Sequence, residues 1–373
     1  MPSHPSCEDL TPASCSIADM IGNTAHVDNS ETPVGFDVSL VEPWLAAHTR
    51  VVPPCRWTRL TGGHSNLTYL LTDSNGAEFV IRRPPQGDLL PKAHDMFREY
   101  RIIEALHPVG IPVAEPVGYC DDRAVCDRHF YVMAKVGGSA LYNGTDTAQH
   151  LDLAARGRVG ESFMSVLASI HSVDPADVGL GELGRPDGYV GRQLRTWYGS
   201  WTASAEAADY DDPRVHELHE WLLDKMPEQG PGRVVHGDYG VHNSMVSSDG
   251  KIVAILDWEI ATLGDPLADF AYALNAWAEP ADPHAALGDA ATAIKGFSSR
   301  DELTSFYADK TGADLSNLPY YRSFNSFKTA CIIHGVYARY VRGQKSTEGV
   351  DLQGLYDRIG ASIELSAAHA ADT

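Results

Sequence analysis

The stretch HGDYGVHN at residues 236–243, together with IVAILDWE at residues 252–259, decides the fold of this chain. A short apolar run precedes Asp238, and a run of β-favouring residues precedes Asp257, which predicts two strands that deliver carboxylates at their ends. Each polar residue alone could equally cap or turn a loop. The order of the whole set therefore carries the information about chemistry.

Asp238, Asn243 and Asp257 occur along the chain in an order that is typical of one type of catalytic site. Four residues separate Asp238 from Asn243, which is the spacing between the catalytic carboxylate and a metal-binding asparagine in protein kinases. Asn243 and Asp257 would then hold Mg²⁺, a hard cation that takes oxygen ligands and keeps phosphate oxygens in its shell. Asp238 stays off the metal and is available to accept or orient a substrate hydroxyl.

The segments HGDYGVHN, ILDWE and GDPLADFAY resemble the aminoglycoside phosphotransferase family of small-molecule kinases. Trp258-Glu259 stands where protein kinases have Phe-Gly. The resemblance is closest to the branch that includes a kinase domain joined, in some larger proteins, to an acyl-CoA dehydrogenase, and it extends from about residue 60 to about residue 343. It implies a two-lobed, protein-kinase-like α+β fold, with a small N-terminal antiparallel β-sheet lobe carrying one helix and a larger, mainly helical C-terminal lobe.

Length and composition limit the class of protein. A chain of 373 residues suits two lobes with a cleft between them. Lys and Arg number 29 and Asp and Glu number 50, so the net charge of −21 disfavours nucleic acid and anionic membranes as partners. The six cysteines show no metal-type spacing, and no export signal or membrane-spanning stretch is apparent. These features predict a cytoplasmic protein with reduced thiols.

The predicted organisation is a tail followed by two lobes. Residues 1–36 are rich in small polar residues without an apolar period, so they cannot offset the entropy of ordering and are predicted to form a flexible tail. The pair Gly137-Gly138 predicts a break between lobes. Residues 37–136 then form the nucleotide-binding lobe, and residues 137–373 form the lobe with the catalytic loop, the metal site and the acceptor site.

A glycine pair near the start of the family-like segment predicts a phosphate-covering loop. Gly62 and Gly63 allow backbone to approach a ligand closely, and Ser65 and Asn66 add donors. A glycine pair between strands is usually only a turn. Its position at the head of the family-like segment favours phosphate contact.

The predicted strand at residues 78–82 would place Val80 and Arg82 on one face, because side chains alternate along a strand. Protein kinases use such a strand to roof the adenine and to present a lysine to the phosphates. Arg82 stands where that lysine would be, and arginine grips phosphate in a charged fork. Arg83 is the competing candidate, and an exposed arginine at the strand edge is the alternative to both.

A predicted helix at residues 95–107 would support this arginine. Glu99 lies beside the apolar stripe of that helix and would pair with Arg82, as the helix glutamate of kinases pairs with its lysine. A solvated glutamate is the alternative. By family resemblance, backbone groups from Ala134 to Val136 would meet the adenine edge.

Candidate acceptor residues lie on two further predicted helices. Gln193 and Trp197 are four residues apart on one helical face, in a region that lies near the acceptor in the family. A helix from residue 319 to residue 342, predicted to be the last long one, places three cations on one side, namely Lys328, Arg339 and Arg342. Because buried cations seek anions, this stripe could meet an anionic part of the acceptor, and pairing with the chain's own carboxylates is the alternative.

Three further polar residues near the motifs are predicted to be structural. Asp265 is expected to cap a helix at residues 267–277, and Asp269 to face its positive end. His171 is expected to be a structural histidine at a helix end.

The sequence thus predicts a phosphotransferase that uses ATP and Mg²⁺ and acts on a hydroxyl of a small molecule. Its expected partners are a nucleotide and a small-molecule acceptor, not nucleic acid or membrane. An aminoglycoside would want clustered acidic residues, whereas a hydroxyacyl-CoA or other anionic hydroxy compound would want Arg and Lys, so the second stays an alternative. A nucleotide-binding pseudokinase is the alternative from another class, and a metal-dependent phosphohydrolase would show a denser ligand cluster.

Overall fold

The computed structural model describes residues 33–60, 66–87, 95–282, 289–347 and 349–373. Most of the predicted tail, together with Gly62, Gly63 and Ser65 of the predicted loop, lies outside these ranges. Within them, an antiparallel sheet precedes a mainly helical part, which confirms the predicted α+β architecture. No helix in the described ranges is both long and apolar enough to cross a lipid bilayer.

The N-terminal sheet is antiparallel throughout. Its strands are β1 (Arg56–Arg59), β2 (Leu67–Thr72), β3 (Glu78–Arg83), β4 (Pro116–Cys120) and β5 (Phe130–Ala134). Their order across the sheet is β1-β2-β3-β5-β4, so β3 lies at the centre. Its register pairs Val80 with Leu70 on one side and with Met133 on the other.

The two faces of the sheet pack on different helices, because side chains alternate along each strand. Phe79 and Ile81 of β3 pack on the outer face in a cluster with α1 (Val38–His48). Val80 packs on the inner face with α2 (Met96–Leu106). The inner face is therefore the one that the C-terminal part covers.

The C-terminal part consists of helices and two short β-pairs. Its helices are α3 (Gly144–His150), α4 (Leu153–Ser172), α5 (Tyr189–Ala208), α6 (Pro213–Asp224), α7 (Pro266–Ala276), α8 (Arg300–Thr311), α9 (Leu318–Val341) and α10 (Leu352–Ala371). The antiparallel pairs are β6 (Arg233–Val235) with β9 (Thr262–Gly264), and β7 (Ser244–Val246) with β8 (Ile252–Ile255). Helix α9 packs along α10 and against α5 and α7.

Helix α10 follows the helix that the sequence predicted to be the last long one, so that expectation was wrong. Its segment is rich in glycine, alanine and polar residues, which gives only a weak apolar period. Asp351 caps it by accepting the N–H of Gly354 at 2.8 Å. Ile359 and Ile363 then bury in the same cluster as residues of α9.

The sheet and the helical part are joined by backbone contacts. The N–H of Ile255 in β8 donates to the carbonyl of Pro112 at 2.7 Å. Gly138 has a φ of 99°, and a Cβ there would lie 2.6 Å from the carbonyl oxygen of Val246, so this position requires glycine. The division into two lobes after residue 136 stays a prediction.

Candidate active site

The two short β-pairs hold the loop that the sequence singled out. Asn243 directly precedes β7, which pairs antiparallel with β8. Because Ser244 pairs with Ile255, Asn243 and Asp257 flank the same end of this pair. The N–H of Leu256 donates to the carbonyl of Asn243 at 2.8 Å. Local strand pairing thus brings the predicted amide and carboxylate together.

Asp238 is 6% exposed, and both of its carboxylate oxygens have partners. Oδ2 accepts from Nδ2 of Asn243 at 3.0 Å. Oδ1 accepts from the hydroxyl of Tyr272 in α7 and lies 3.5 Å from Nε2 of His242. Burial opposes ionisation, but His242 and Tyr272 outweigh it and hold the pKa of the Asp238 carboxyl well below its usual range. Asp238 is therefore an ionised acceptor in a fixed orientation.

Asn243 and Asp257 present buried oxygen atoms that lack a hydrogen bond within the described part of the chain. Oδ1 of Asn243 and both carboxylate oxygens of Asp257 have no hydrogen-bond partner among the described residues. Asp257 also has a φ of 64°, a left-handed conformation that is strained for a residue with a side chain. Buried oxygens are costly unless a donor or cation meets them, and an all-oxygen set suits Mg²⁺. The arrangement fits the predicted ligand role of both residues.

Arg82 connects the sheet to this group. Its Nη1 lies 2.7 Å from Oε2 of Glu99 in α2, and its Nη2 lies 3.5 Å from Oδ1 of Asp257. The hydroxyl of Tyr131 also donates to Oε2 of Glu99, at 3.0 Å. The three charged side chains are at most 2% exposed. The ion pair that the sequence predicted between Arg82 and Glu99 is therefore present.

Three carboxyl groups surround the single guanidinium of Arg82. Burial raises the pKa of Glu99 to about 7 although Arg82 lowers it, and burial likewise raises the pKa of Asp257 and of Glu259. Burial lowers the pKa of Arg82, but the surrounding carboxylates outweigh that effect and keep it charged. One arginine thus faces three carboxyl groups, so a further cation bound there would be stabilised by carboxylates that Arg82 alone does not neutralise.

Arg83, the competing candidate, lies on the opposite face of the sheet. Its Nη1 lies 2.7 Å from Oδ1 of Asp127 and donates to the carbonyl of Gly35. Its guanidinium carbon lies 5.6 Å from the ring centre of Phe36. Alternation along β3 separates the two arginines, and Arg82 is the one that faces Glu99 and Asp257.

The remaining predicted nucleotide contacts lie on β3, just before β2, at or just beyond the end of β5, or outside the described residues. Val80 is buried on the inner face of β3, and the buried Asn66 directly precedes β2. The N–H of Ala134 donates to the carbonyl of Glu115 at 2.9 Å, so Ala134 could offer a nucleotide only its carbonyl. Val136 is half-buried just beyond β5. Gly62, Gly63 and Ser65 lie outside the described residues.

A cavity of about 590 Å³ opens beside Asp238. The predicted acceptor residues Gln193, Trp197 and Lys328 line it, as does Tyr272. Lys328 is 7% exposed, and its Nζ donates to the carbonyl of Gly237 at 3.3 Å. Burial lowers the pKa of Lys328, against the raising effect of Asp238 and Asp269. The cavity therefore combines the candidate catalytic carboxylate with a buried amine.

Arg339 and Arg342, the other two predicted acceptor cations, do not line this cavity. They share the side of Lys328 on α9, but a helix rises about 1.5 Å per residue, so Arg339 lies roughly 16 Å further along the axis. Arg342 is exposed at the helix end. Axial distance along the helix therefore keeps both arginines away from this cavity.

Comparison with known proteins assigns the family. The sequence profile of the phosphotransferase enzyme family matches residues 56–303, which is more than half of the chain. This chain belongs to the phosphotransferase enzyme family. The family agrees with the one that the resemblance predicted.

Individual relatives agree with this assignment. Acyl-CoA dehydrogenase family member 11 of Gallus gallus is 35% identical over 77% of this phosphotransferase, which spans only 37% of that relative. A candidate aminoglycoside phosphotransferase from Ralstonia eutropha JMP134, known from a crystal structure, is 27% identical in sequence, with a TM-score of 0.76. The match covers 90% of this chain and 99% of that protein's chain. Spectinomycin phosphotransferase shares the fold, with 14% identity, a TM-score of 0.58 and coverage of 91% and 99%. The predicted protein-kinase-like fold is thereby confirmed.

Sequence reasoning missed Tyr272 in this phosphotransferase. Tyr272 lies three residues after Asp269 and seven after Asp265, which places all three on one face of α7. That helical spacing from two acidic residues next to the catalytic segment was the signal that could have found it. The same reasoning left His242 unassigned, although it lies between Asp238 and Asn243.

Asp269 is structural, as predicted, but its partners differ from the expected helix end. Its carboxylate accepts the N–H of His236 at 2.7 Å and the N–H of Gly237 at 2.8 Å. His171 lies 3.3 Å from it and 2.8 Å from the hydroxyl of Tyr307, which agrees with a structural histidine. Asp269 thus fixes the backbone immediately before Asp238. Asp265 caps α7 through the N–H of Leu267 at 3.0 Å, as predicted.

Proposed function

We propose that this phosphotransferase transfers the terminal phosphoryl group of Mg²⁺-bound ATP to a hydroxyl of a small molecule. The observation that carries the proposal is the set of buried oxygens on Asn243 and Asp257 that lack a hydrogen bond, next to the ion pair between Asp257 and Arg82. A magnesium ion bound there supplies charge neutralisation for the phosphates. The spectinomycin phosphotransferase structure, which has the same fold, contains ADP and supports a nucleotide donor.

Asp238 orients the acceptor hydroxyl in this proposal. Its carboxylate borders the cavity and is held by Asn243 and Tyr272. Its lowered pKa makes it a weak base, which suits a phosphoryl transfer whose transition state develops little charge on the attacking oxygen. Catalysis then comes from positioning and charge stabilisation, without a covalent intermediate.

The nucleotide lies between the inner face of the sheet and the catalytic loop in this proposal. Arg82 binds the phosphates and Glu99 supports it, in accordance with their ion pair. Val80 would cover the adenine, and backbone groups of Ala134 and Val136 would meet its edge. The proposed phosphate cover is the loop that contains Gly62, Gly63, Ser65 and Asn66.

The cavity favours an acceptor that is not a polycation. Asp238 is the one acidic side chain among the described residues that line it, and Lys328 is buried in its wall. An aminoglycoside would need several carboxylates there to replace its hydration. The second candidate function, a kinase of a hydroxyacyl-CoA or another anionic hydroxy compound, is therefore favoured by this lining.

A screen for ADP release tests the proposed function. Acceptors should include cationic aminosugars and anionic hydroxyacyl thioesters, each with and without Mg²⁺. We expect Mg²⁺-dependent ADP release with a neutral or anionic acceptor, and its loss in D238A with nucleotide affinity retained. Unchanged turnover in D238A would refute the role of Asp238. Nucleotide binding without ADP release for any acceptor would favour a pseudokinase.

A further inference from the structure

The cavity of about 590 Å³ beside Asp238 is called the acceptor cavity below. A second cavity, of about 480 Å³, lies next to it. Thr329 and Ile333 of α9 and Arg358 of α10 line both cavities. The two spaces therefore meet at these side chains, between α9 and α10. The second cavity is further from Asp238, which lines only the first.

The second cavity has an excess of cationic side chains. Arg322, Arg358 and Arg300 line it, together with the imidazole of His369, whose pKa is lowered to about 4 and which is therefore neutral at pH 7. Asp282 is the one carboxylate among its described lining residues. Such an excess is unexpected in a chain whose net charge is −21. It requires a structural or a functional reason.

A structural reason accounts for Arg300. Its guanidinium lies 3.0 Å from Oε2 of Glu279 and 2.8 Å from Oδ1 of Asp282, and its Nε donates to the carbonyl of Leu274 at 3.0 Å. Arg300 is thus satisfied inside the protein. The same bonds occupy Asp282, so its charge is already matched.

Arg322 and Arg358 have no such match. Nε of Arg322 donates to Oδ1 of Asn275 at 3.0 Å, but no carboxylate among the described residues lies within 4.0 Å of the guanidinium of Arg322 or of Arg358. Burial and the charge of Arg300 lower the pKa of Arg322. Asp282, Glu279 and Asp372 oppose this only from a distance. Arg322 is half-buried, so an anionic ligand would offset the cost of burying its charge. Arg358 is exposed and adds a second guanidinium to the lining of the same cavity.

We propose that the second cavity binds an anionic group, a phosphate in particular, at the far end of the acceptor. This inference rests on the proposed function for its first half, the acceptor hydroxyl at Asp238. Arg322 and Arg358 would bind the anion through guanidinium N–H groups, which match phosphate oxygens in pairs. The apolar wall formed by Ile332, Ile333 and Val336 of α9 would contact the body of the acceptor between its two ends. The acceptor class is thus a hydroxy compound with an apolar middle and a terminal phosphate.

The pKa of the His369 imidazole can report anion binding directly. Burial and the charges of Arg322 and Arg300 lower its pKa to about 4, with Asp372 acting in the opposite direction. An anion placed between the imidazole and Arg322 would favour the protonated form and raise that pKa. The change can be followed by NMR without any turnover.

The first experiment titrates inorganic phosphate into protein whose nucleotide site is saturated with ADP. The His369 resonance, assigned with H369N, should report a pKa raised by about one unit or more in the wild-type protein. The rise should disappear in the R322Q/R358Q variant. It should persist in R56Q, which removes the same kind of charge from the exposed end of β1. An unshifted His369, or an equal shift in R322Q/R358Q, would overturn the anion site.

The second experiment joins the two cavities. Hydroxyalkyl phosphates of about six to ten carbons, a size typical of small-molecule ligands, are tested for binding in the presence of ADP. The matching diols, which lack the phosphate, serve as the comparison. At one chain length the phosphate should bind about tenfold more tightly or better, and R322Q/R358Q should remove that advantage. Phosphate binding at His369 without any advantage over the diols would show an independent anion site and overturn the joint site. Absence of turnover with all of these compounds would count against the proposed function but would leave both binding results valid.

Discussion

The carboxylate of Asp238 is oriented by its own protein neighbours. The side-chain amide of Asn243 donates a hydrogen bond to one carboxylate oxygen, and the hydroxyl of Tyr272 donates to the other. Because burial would otherwise favour the neutral acid, these contacts and His242 decide that the group is ionised. The chemistry of the site therefore depends on residues that the reaction itself does not change.

Replacing Tyr272 with phenylalanine should separate this orienting effect from nucleotide binding. Loss of one hydrogen bond to a buried carboxylate is expected to lower kcat about tenfold and to raise the pKa of Asp238, which moves the acid limb of the rate profile to higher pH. Nucleotide affinity should not change. Kinetic measurements across pH check both effects.

Y321F is the matched control for that variant. Tyr321 donates to Asp265 at 2.6 Å, and neither residue is among those that line the acceptor cavity. Y321F should therefore leave kcat unchanged. Equal kcat values for Y272F and the wild-type protein would contradict the orienting role of Tyr272.

Glu99 should make the protein less stable as pH rises toward neutrality. Burial raises the pKa of Glu99 to about 7 in the folded protein, above the ordinary value of about 4.3 expected after unfolding. The folded state then binds more protons at Glu99 between these values, so the contribution of Glu99 to stability is full below pH 4 and is lost as pH rises through 7.

Replacement of Glu99 with glutamine tests that sign. E99Q keeps an oxygen for Arg82 and removes the titrating group, so the decrease in stability between pH 4 and pH 7 should become smaller. Urea unfolding at several pH values measures it. An E99Q profile parallel to that of the wild-type protein would show that Glu99 does not carry the effect.

At the scale of elements, the carboxylate of Asp269 in α7 holds the catalytic loop. It accepts two backbone N–H groups of the loop, from His236 and Gly237, and is 3% exposed. D269A should lower the free energy of unfolding by about 3 kcal/mol, because removing a buried charged partner leaves the donors unpaired. Urea unfolding with tyrosine and tryptophan fluorescence measures this change.

D152A provides the comparison for D269A. Asp152 is an exposed cap of α4 that accepts a single N–H, from Ala155 at 2.7 Å. Removing such a cap costs about 1 kcal/mol. If D152A destabilised the protein as much as D269A, the proposed role of Asp269 in holding the loop would be wrong.

Sequence patterns predicted those elements in which the apolar period and the positions of the polar residues indicate the same face. The alternation along β3 placed Val80 and Arg82 on one face, and the apolar stripe of α2 placed Glu99 beside them. Both are local regularities that a single sequence contains. Contacts that depend on tertiary packing could not be read in this way, such as the one between Tyr272 and Asp238.

Helices α9 and α10 show where sequence patterns fail. An angular pattern gives the side of a helix but not which residues along its length meet a cavity, so Lys328 lines the acceptor cavity and Arg339 does not. Helix α10 has few large apolar residues, and its burial against α9 is a tertiary effect. Arg358, which lines both cavities, was therefore missed with the helix that carries it.

At the scale of the whole molecule, the strand pair β7-β8 and the sheet bring charges of both signs together. Arg82 comes from the sheet, and Asp257 follows β8 in the other part of the chain. The contact of Ile255 with Pro112 joins the same two regions through backbone. Binding of a magnesium-bound nucleotide between them would use groups from both.

The most direct test is calorimetric binding of the ATP analogue AMP-PNP, with and without Mg²⁺. N243A and D257N should lose the Mg²⁺-dependent part of the affinity, by about tenfold or more, because they remove the two buried oxygen ligands. D238N should bind Mg²⁺ and nucleotide nearly as the wild-type protein does, while failing to transfer the phosphoryl group from ATP. Full Mg²⁺-dependent binding by D257N and N243A would contradict the account.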